Sequence, residues 1–267
     1  EVIYAQALSN ILGTKYEHIP LGNFHEECDH WYDMYGPSLH FHGMYHIEFY
    51  KRIKEKLGDN VKILSGIVGD LWAGKVTPEV RSSQDILHLG LPHAQFDPAI
   101  ITSKCVLPRT KDTKGEYFEK HKELLQNSKY RIVALVRLKM ILLRYLVEVP
   151  QSVGFDSWSP FLDLDIAMSM VNLPPHLRHN RQWQQDFFRS VGIMLEDMGI
   201  SYGSGNDLDM LGRRRNPFPC LNESSLGKYF DPQLLNAINS DTTSAITYYM
   251  NVMLLPIQRL LESNDCN

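Results

Sequence analysis

Half-cystines in pairs are missing from this chain. Its four cysteines, Cys28, Cys105, Cys220 and Cys266, are scattered and form no Cys-x-x-Cys pair. That suits free thiols in a reducing, cytoplasmic setting better than a disulfide scaffold. An excess of basic charge is missing too: the net charge is −4, and the one basic cluster is Arg213-Arg214-Arg215. No nucleic-acid footprint follows from that balance. A long uncharged apolar run is also lacking. The longest apolar tract, Ile132 to Val147, carries Arg137, Lys139 and Arg144, which reads as a buried helix rather than a membrane span. There is no internal repeat and no low-complexity segment. The chain opens on Glu1 rather than Met, already in helical spacing, so a piece of a longer polypeptide is expected; a removed leader or tag would read alike.

What is present is enough apolar residue, 43% of 267, for one large domain or two modest ones. Val2, Ala5, Leu8, Ile11 and Leu12 recur at helical spacing, and Gly13 closes that helix. A short strand is expected over Tyr16–Leu21, an amphipathic helix over Ile47–Leu57, a turn at Gly58-Asp59-Asn60 and a strand over Val61–Leu64. Alternating helix and strand imply a parallel sheet. From Val76 to Lys114 the prolines break the periodicity, and a loop-rich excursion is expected. Beyond it the chain reads as helical: Glu116–Gln126, Tyr130–Val147 stopped by Pro150, a helix from Leu164 capped by Asp163, one from Gln182, and Thr243–Leu261 interrupted by Pro256. Trp183, Phe187, Phe188, Val191, Met194, Leu195 and Met198 trace one face of the Gln182 helix, read as core. The fold class is therefore α/β, with residues 1–110 a partial α/β portion, residues 111–267 a helical portion, and a ligand cleft between them.

Two segments carry candidate chemistry. In the first, the apolar run Val61-Lys62-Ile63-Leu64 ends in Ser65-Gly66, with Gly69-Asp70 close behind. Read as a strand stopping at a tight turn that opens a helix, it lets backbone amides approach a phosphate and sets an acid beside it for a cation. The same pattern also serves a plain strand-turn-helix junction. In the second, Gly154-Phe155-Asp156-Ser157-Trp158-Ser159-Pro160-Phe161-Leu162-Asp163, the Asp156 carboxylate lies between helices, free to act as a base or cation ligand or simply to be solvated. A histidine-rich stretch contains His25, Cys28, His30, His40, His42 and His46. It reads as a polar cleft lining or as ordinary half-buried histidines before it reads as a zinc site.

Together these segments resemble the synthetase domain of the asparagine synthetase family, within the ATP-pyrophosphatase superfamily. The family motif Ser-Gly-x-Gly-x-Asp-(acid)-x-x-Gly stands here as Ser65 to Gly74. The motif Gly-x-Glu-x-Arg-x-Pro-Phe-Leu-Asp stands as Gly154 to Asp163, and the Leu-Pro-Pro-x-Leu turn as Leu173 to Leu177. Ala5 to His18 resembles the family's opening helix-strand step. The resemblance implies a partial sheet of the adenine-nucleotide-hydrolase (HUP-like) type, and an amide-forming ligase or amidotransferase that adenylates a carboxylate and releases pyrophosphate. ATP and Mg²⁺ would be its cofactors. Ser65, Gly66 and Gly69 would contact nucleotide, Asp70 would serve the Mg-pyrophosphate, Asp156 would stand near the reacting centre, and His40 or His42 would bind substrate. Its partners would be a small carboxylate acceptor and an ammonia or glutaminase source; a homodimer is compatible, and neither nucleic acid nor membrane is called for. Several positions depart from the family. A Ser-Gly-Gly-x-Asp-Ser loop is absent, Ile67 stands where aspartate-specific members carry an acid, Val68 at a Gly, Leu71 at an acid and Trp158 at an Arg. Gln185 takes the place of a Lys that steadies negative charge, with Arg178, Arg181 and Arg189 as nearby substitutes. The acceptor expected is therefore not aspartate, and a catalytically degenerate binding or scaffolding member is the rival reading. One crevice is expected to hold the Ser65–Asp70 turn and the Asp156 loop face to face.

Overall fold

Apolar residues at helical spacing build the first helix, α1 (Val2–Leu12), and Gly13 ends it at φ +65°, a conformation that a Cβ disfavours. The computed structural model describes residues 2–72, 79–90, 112–139, 141–194, 197, 199, 218–241 and 244–265. The strand expected over Tyr16–Leu21 does not form: residues 14–23 have no regular structure. Their end is instead tied down by the buried Glu48 carboxylate, which accepts the Gly22 N–H at 3.2 Å and the Asn23 N–H at 3.1 Å. Next come α2 (Cys28–Tyr35) and α3 (Tyr45–Leu57), the latter burying Ile47, Tyr50 and Ile53 on one face. Gly58, at φ +75°, turns the chain into β1 (Ile63–Leu64).

After β1 come two short helices, α4 (Gly69–Trp72) and α5 (Ile86–Gly90). Residues 73–78 and 91–111, most of the expected excursion, lie outside the described residues, as does the Gly203–Asn206 loop. The helix expected over Tyr130–Val147 is two helices. After α6 (Thr113–Leu125), α7 (Ser128–Leu138) ends at Lys139, and α8 (Ile141–Val153) runs past Pro150 rather than stopping there. Proline has no N–H to give the carbonyl of Leu146, one turn earlier. The Ser157 hydroxyl donates to that carbonyl instead, so the helix continues without a buried orphan.

Ser157 begins β2 (Ser157–Trp158), which pairs parallel with β1: Ile63 opposes Ser157 and Leu64 opposes Trp158. The architecture is thus mainly helical, with one two-stranded parallel sheet. Downstream lie α9 (Leu164–Val171), α10 (Pro175–Arg178), α11 (Gln182–Ser190), α12 (Glu223–Leu226), α13 (Pro232–Ser240) and α14 (Ala245–Asp265). Asp163 caps α9 as the sequence indicated, accepting the N–H groups of Asp165 and Ile166 at 3.0 and 3.1 Å. Among the described residues no helix is long and apolar enough to cross a membrane.

Two cores hold these elements. One gathers Trp31, Phe41, Met44 and Ile47 with Val149 of α8 and Val252 of α14. The other gathers Val68, Leu71, Val80, Leu89, Leu125 and Leu135. Ile67 and Leu142 pack against both. Each core draws on chain from both sides of residue 110, and the β1–β2 pair crosses that point as well. The described part of the stripe expected to make α11 a core helix is not buried: no residue of α11 is, and Phe187 and Val191 are 57% and 52% exposed, while Leu195 and Met198 lie outside the described residues.

Candidate functional site

The carboxyl end of β1 opens into the turn that the sequence singled out. Ser65 donates its N–H to the Trp158 carbonyl (2.8 Å), the last ladder bond, and its hydroxyl accepts the Ile67 N–H (3.1 Å). Gly66 is exposed, and a Cβ there would meet open space, so a ligand could approach its backbone. Gly69 serves differently. It is buried, and a Cβ would overlap the Phe161 ring, so its lack of a side chain seats Phe161 on the turn. Between them Val68 has φ +66°, the left-handed region where a β-branched side chain is an outlier. Val68 is 2% exposed, and its packing in the second core holds it there. It occupies this conformation at the position where the resembled motif carries glycine.

The second segment docks on the same turn. Ser159, fully buried, donates its hydroxyl to the Ile67 carbonyl (3.0 Å), and Phe161 covers Gly69. Asp156 is placed elsewhere along the pair. Its carbonyl accepts the Ile63 N–H (3.0 Å), and the register sets it beside Lys62. That is three residues, roughly 10 Å, short of the Ser65–Ser159 end. Side chains alternate along β2: Phe155 and Ser159 are buried, Asp156 and Trp158 exposed. Asp156 therefore shares an open face with Lys62, Leu64 and Trp158, the last two 70% and 51% exposed. The residues brought to the mouth of the turn are Ser159, Pro160 and Phe161, and the Asp156 carboxylate is set back from it.

Asp70 is the second residue of the single turn of α4, its carboxylate exposed and without a hydrogen-bond partner among the described residues. A residue the motifs did not mark ends the neighbouring helix. Lys139 caps α7, the helix against which α4 packs. Its side chain is half-buried, and burial pulls its ammonium below the usual lysine range, partly offset by the negative charge of Asp70. In the sequence Lys139 stood out only as a charge interrupting an apolar tract.

The remaining candidates lie apart. Arg178 is 6% exposed and donates to the carbonyls of Met170 (3.0 Å), Val171 (2.6 Å) and Leu173 (3.2 Å), closing the carboxyl end of α9. Burial pulls it below the ordinary arginine range, and with Nη2 on three backbone carbonyls, though Nε is buried without a partner, it is a structural clasp. Gln185 and Arg189 sit on the exposed side of α11, Arg189 paired with Asp186 at 3.2 Å. Arg181, at φ +57°, precedes that helix. The carbonyl of His40 accepts the Trp31 indole N–H (3.0 Å), and its turn packs with α2, α3 and α14 on the first core, whereas Val68 and Leu71 belong to the second. The side chain of His42 lies outside the described residues. Within the histidine-rich stretch, burial raises the Cys28 thiol to about 11, away from the thiolate that a metal would take, and His30 pairs with Glu27. Among the described residues no three His, Cys, Asp or Glu side chains converge as metal ligands.

The arrangement can therefore present an open backbone at Gly66 and a carboxylate at Asp70 for a divalent cation at one strand-turn-helix junction. Comparison with protein families, with curated proteins and with solved structures finds no match for this chain.

Proposed function

We propose that this chain is an asparagine-synthetase-like, ATP-dependent amide-forming domain of HUP-like type, acting on a carboxylate acceptor other than aspartate. One observation carries the reading. Two segments some ninety residues apart, chosen for their resemblance to one family's motifs, pair in register as neighbouring parallel strands, and Phe161 of the second seats on Gly69 of the first. Ligands of open α/β sheets bind outside the carboxyl ends of the strands, which is where Ser65, Gly66 and Asp70 lie. With Mg²⁺ supplied, Asp70 would hold the metal, and the Gly66 backbone would lie against the nucleotide. In the full-length protein, pyrophosphate release from ATP should depend on the acceptor. Equal release without acceptor, or none across a broad panel of small carboxylates, overturns the reading.

A second reading is a catalytically degenerate member that binds or scaffolds. It is favoured by Leu71, buried at 3% exposure where the motif has an acid, and by Arg178, which is committed to backbone carbonyls. Asp70→Asn separates the two. Unchanged Mg-ATP affinity and unchanged cellular function support the degenerate reading, and loss of both supports the ligase.

A further inference from the structure

The β1–β2 pair is covered on one side only. Its inner face, with Phe155, Ser157 and Ser159, lies on α8, where the Ser157 hydroxyl reaches the Leu146 carbonyl. Its outer face carries Lys62 and Leu64 along one strand, and Asp156 and Trp158 along the other. Parallel strands are ordinarily buried on both faces, yet Leu64 and Trp158 are each more than half exposed. The register sets these two side by side, and it sets Lys62 beside Asp156. Among the described residues neither charge makes a side-chain hydrogen bond or an ion pair, not even with the other. Exposed glycines flank the patch, Gly154 two residues before Asp156 and Gly66 two residues after Leu64. No side chain at either end therefore holds off a second flat surface.

Two copies of this face fit one another in one way. A two-fold axis parallel to the strands lays β1 of each copy over β2 of the other. Leu64 then meets the partner's Trp158, and Lys62 meets the partner's Asp156, each contact being made twice. The strands stay aligned, as in ordinary sheet-on-sheet packing about 10 Å apart. An axis across the strands stacks β1 on its own copy instead. That sets Lys62 over the partner's Leu64, burying an unpaired charge, or over the partner's Lys62, opposing like charges.

We propose that the outer face of the β1–β2 pair docks a second copy of this chain, matched through Leu64 with Trp158 and Lys62 with Asp156. The argument stands on register, exposure and charge, and is independent of the ATP-dependent reading. The patch is small against the roughly 800 Å² per partner of a standard interface, so the dimer is weak and reversible.

The test is sedimentation velocity of the full chain across a range of concentrations. It compares the native protein, Trp158→Ser, Lys62→Glu, Asp156→Lys and an equal mixture of the last two. The native chain should pass from monomer to dimer as its concentration rises through the micromolar range. Trp158→Ser should weaken the dimer about tenfold or more, because an aromatic anchor is lost from both copies. Lys62→Glu and Asp156→Lys each oppose like charges across the axis and should weaken it at least as much. Their mixture should recover the dimer, since an acidic face then meets a basic one, whereas a defect within one chain is not cured by mixing. Far-UV circular dichroism checks that each variant is folded, as expected for exposed positions. A native chain that stays monomeric up to its solubility limit, its face then open to a different partner, overturns the inference. So does a dimer that Trp158→Ser leaves unchanged, or one that the mixture fails to restore.

Discussion

The Ser65–Asp70 turn and the segment from Pro174 to Ser190 both stood out in the sequence, and each contains a non-glycine residue at positive φ. They differ in what surrounds it. Val68 is sealed in the second core, with Phe161 closing over Gly69 next to it. Arg181 is half-buried, and the helix it introduces buries none of its residues. A left-handed L-residue costs roughly 1–2 kcal/mol wherever it occurs. At Val68 tertiary packing offsets that cost, whereas at Arg181 the described residues show no comparable enclosure. An over-determined turn is a better candidate for holding a ligand than a helix that buries none of its residues.

Substitutions can break this contrast. The largest effect is expected on the surface segment's one firm anchor. Arg178→Ala removes three carbonyl bonds from a 6%-exposed side chain and should cost about 2–3 kcal/mol by urea denaturation. Gly69→Ala comes next, at about 1–3 kcal/mol, because the new methyl displaces Phe161. A loss as small as that of Gly66→Ala would mean that the ring is not seated as described. At Val68 the informative quantity is a difference. Both Val68→Ala and Val68→Gly lose buried contacts, but only glycine relieves the backbone, so the glycine variant should be the more stable of the two by about 1 kcal/mol. The smallest effects should come from Phe187→Ser and Gly66→Ala, each within about 0.5 kcal/mol, since one side chain is exposed and the other position is open. They part on function: Gly66→Ala should lower magnesium-ATP affinity, whereas Phe187→Ser should leave it unchanged.

Much of the helical layout was legible because it is local. Val2–Leu12, the helix ending at Leu57, the Asp163 cap and the helix it starts follow from spacing, glycine and a side-chain cap. The misreadings share a cause. Tyr16–Leu21 had strand-forming residues, but among the described residues no strand lies beside it to receive its amides, and the chain there is irregular. Pro150 was read as a stop because proline withdraws an N–H, but Ser157, seven residues on, occupies the vacated carbonyl. The α11 stripe had helical period, yet period says only that a face exists, not that anything covers it. In the candidate site, Ser65, Gly66 and Asp70 were visible as a Gly-rich turn after an apolar run.

The amino-acid order by itself determined which segments could be helices, where the strand before Ser65 would stop, and which carboxylates stayed free of capping duty, since these depend on contacts within a few residues. Only the tertiary structure decided that β1 and β2 are partners, that Asp156 falls beside Lys62 rather than at the mouth of the turn, and that Gly69 is a seat for Phe161. Register and burial are properties of two chain segments at once, and neither segment carries them alone.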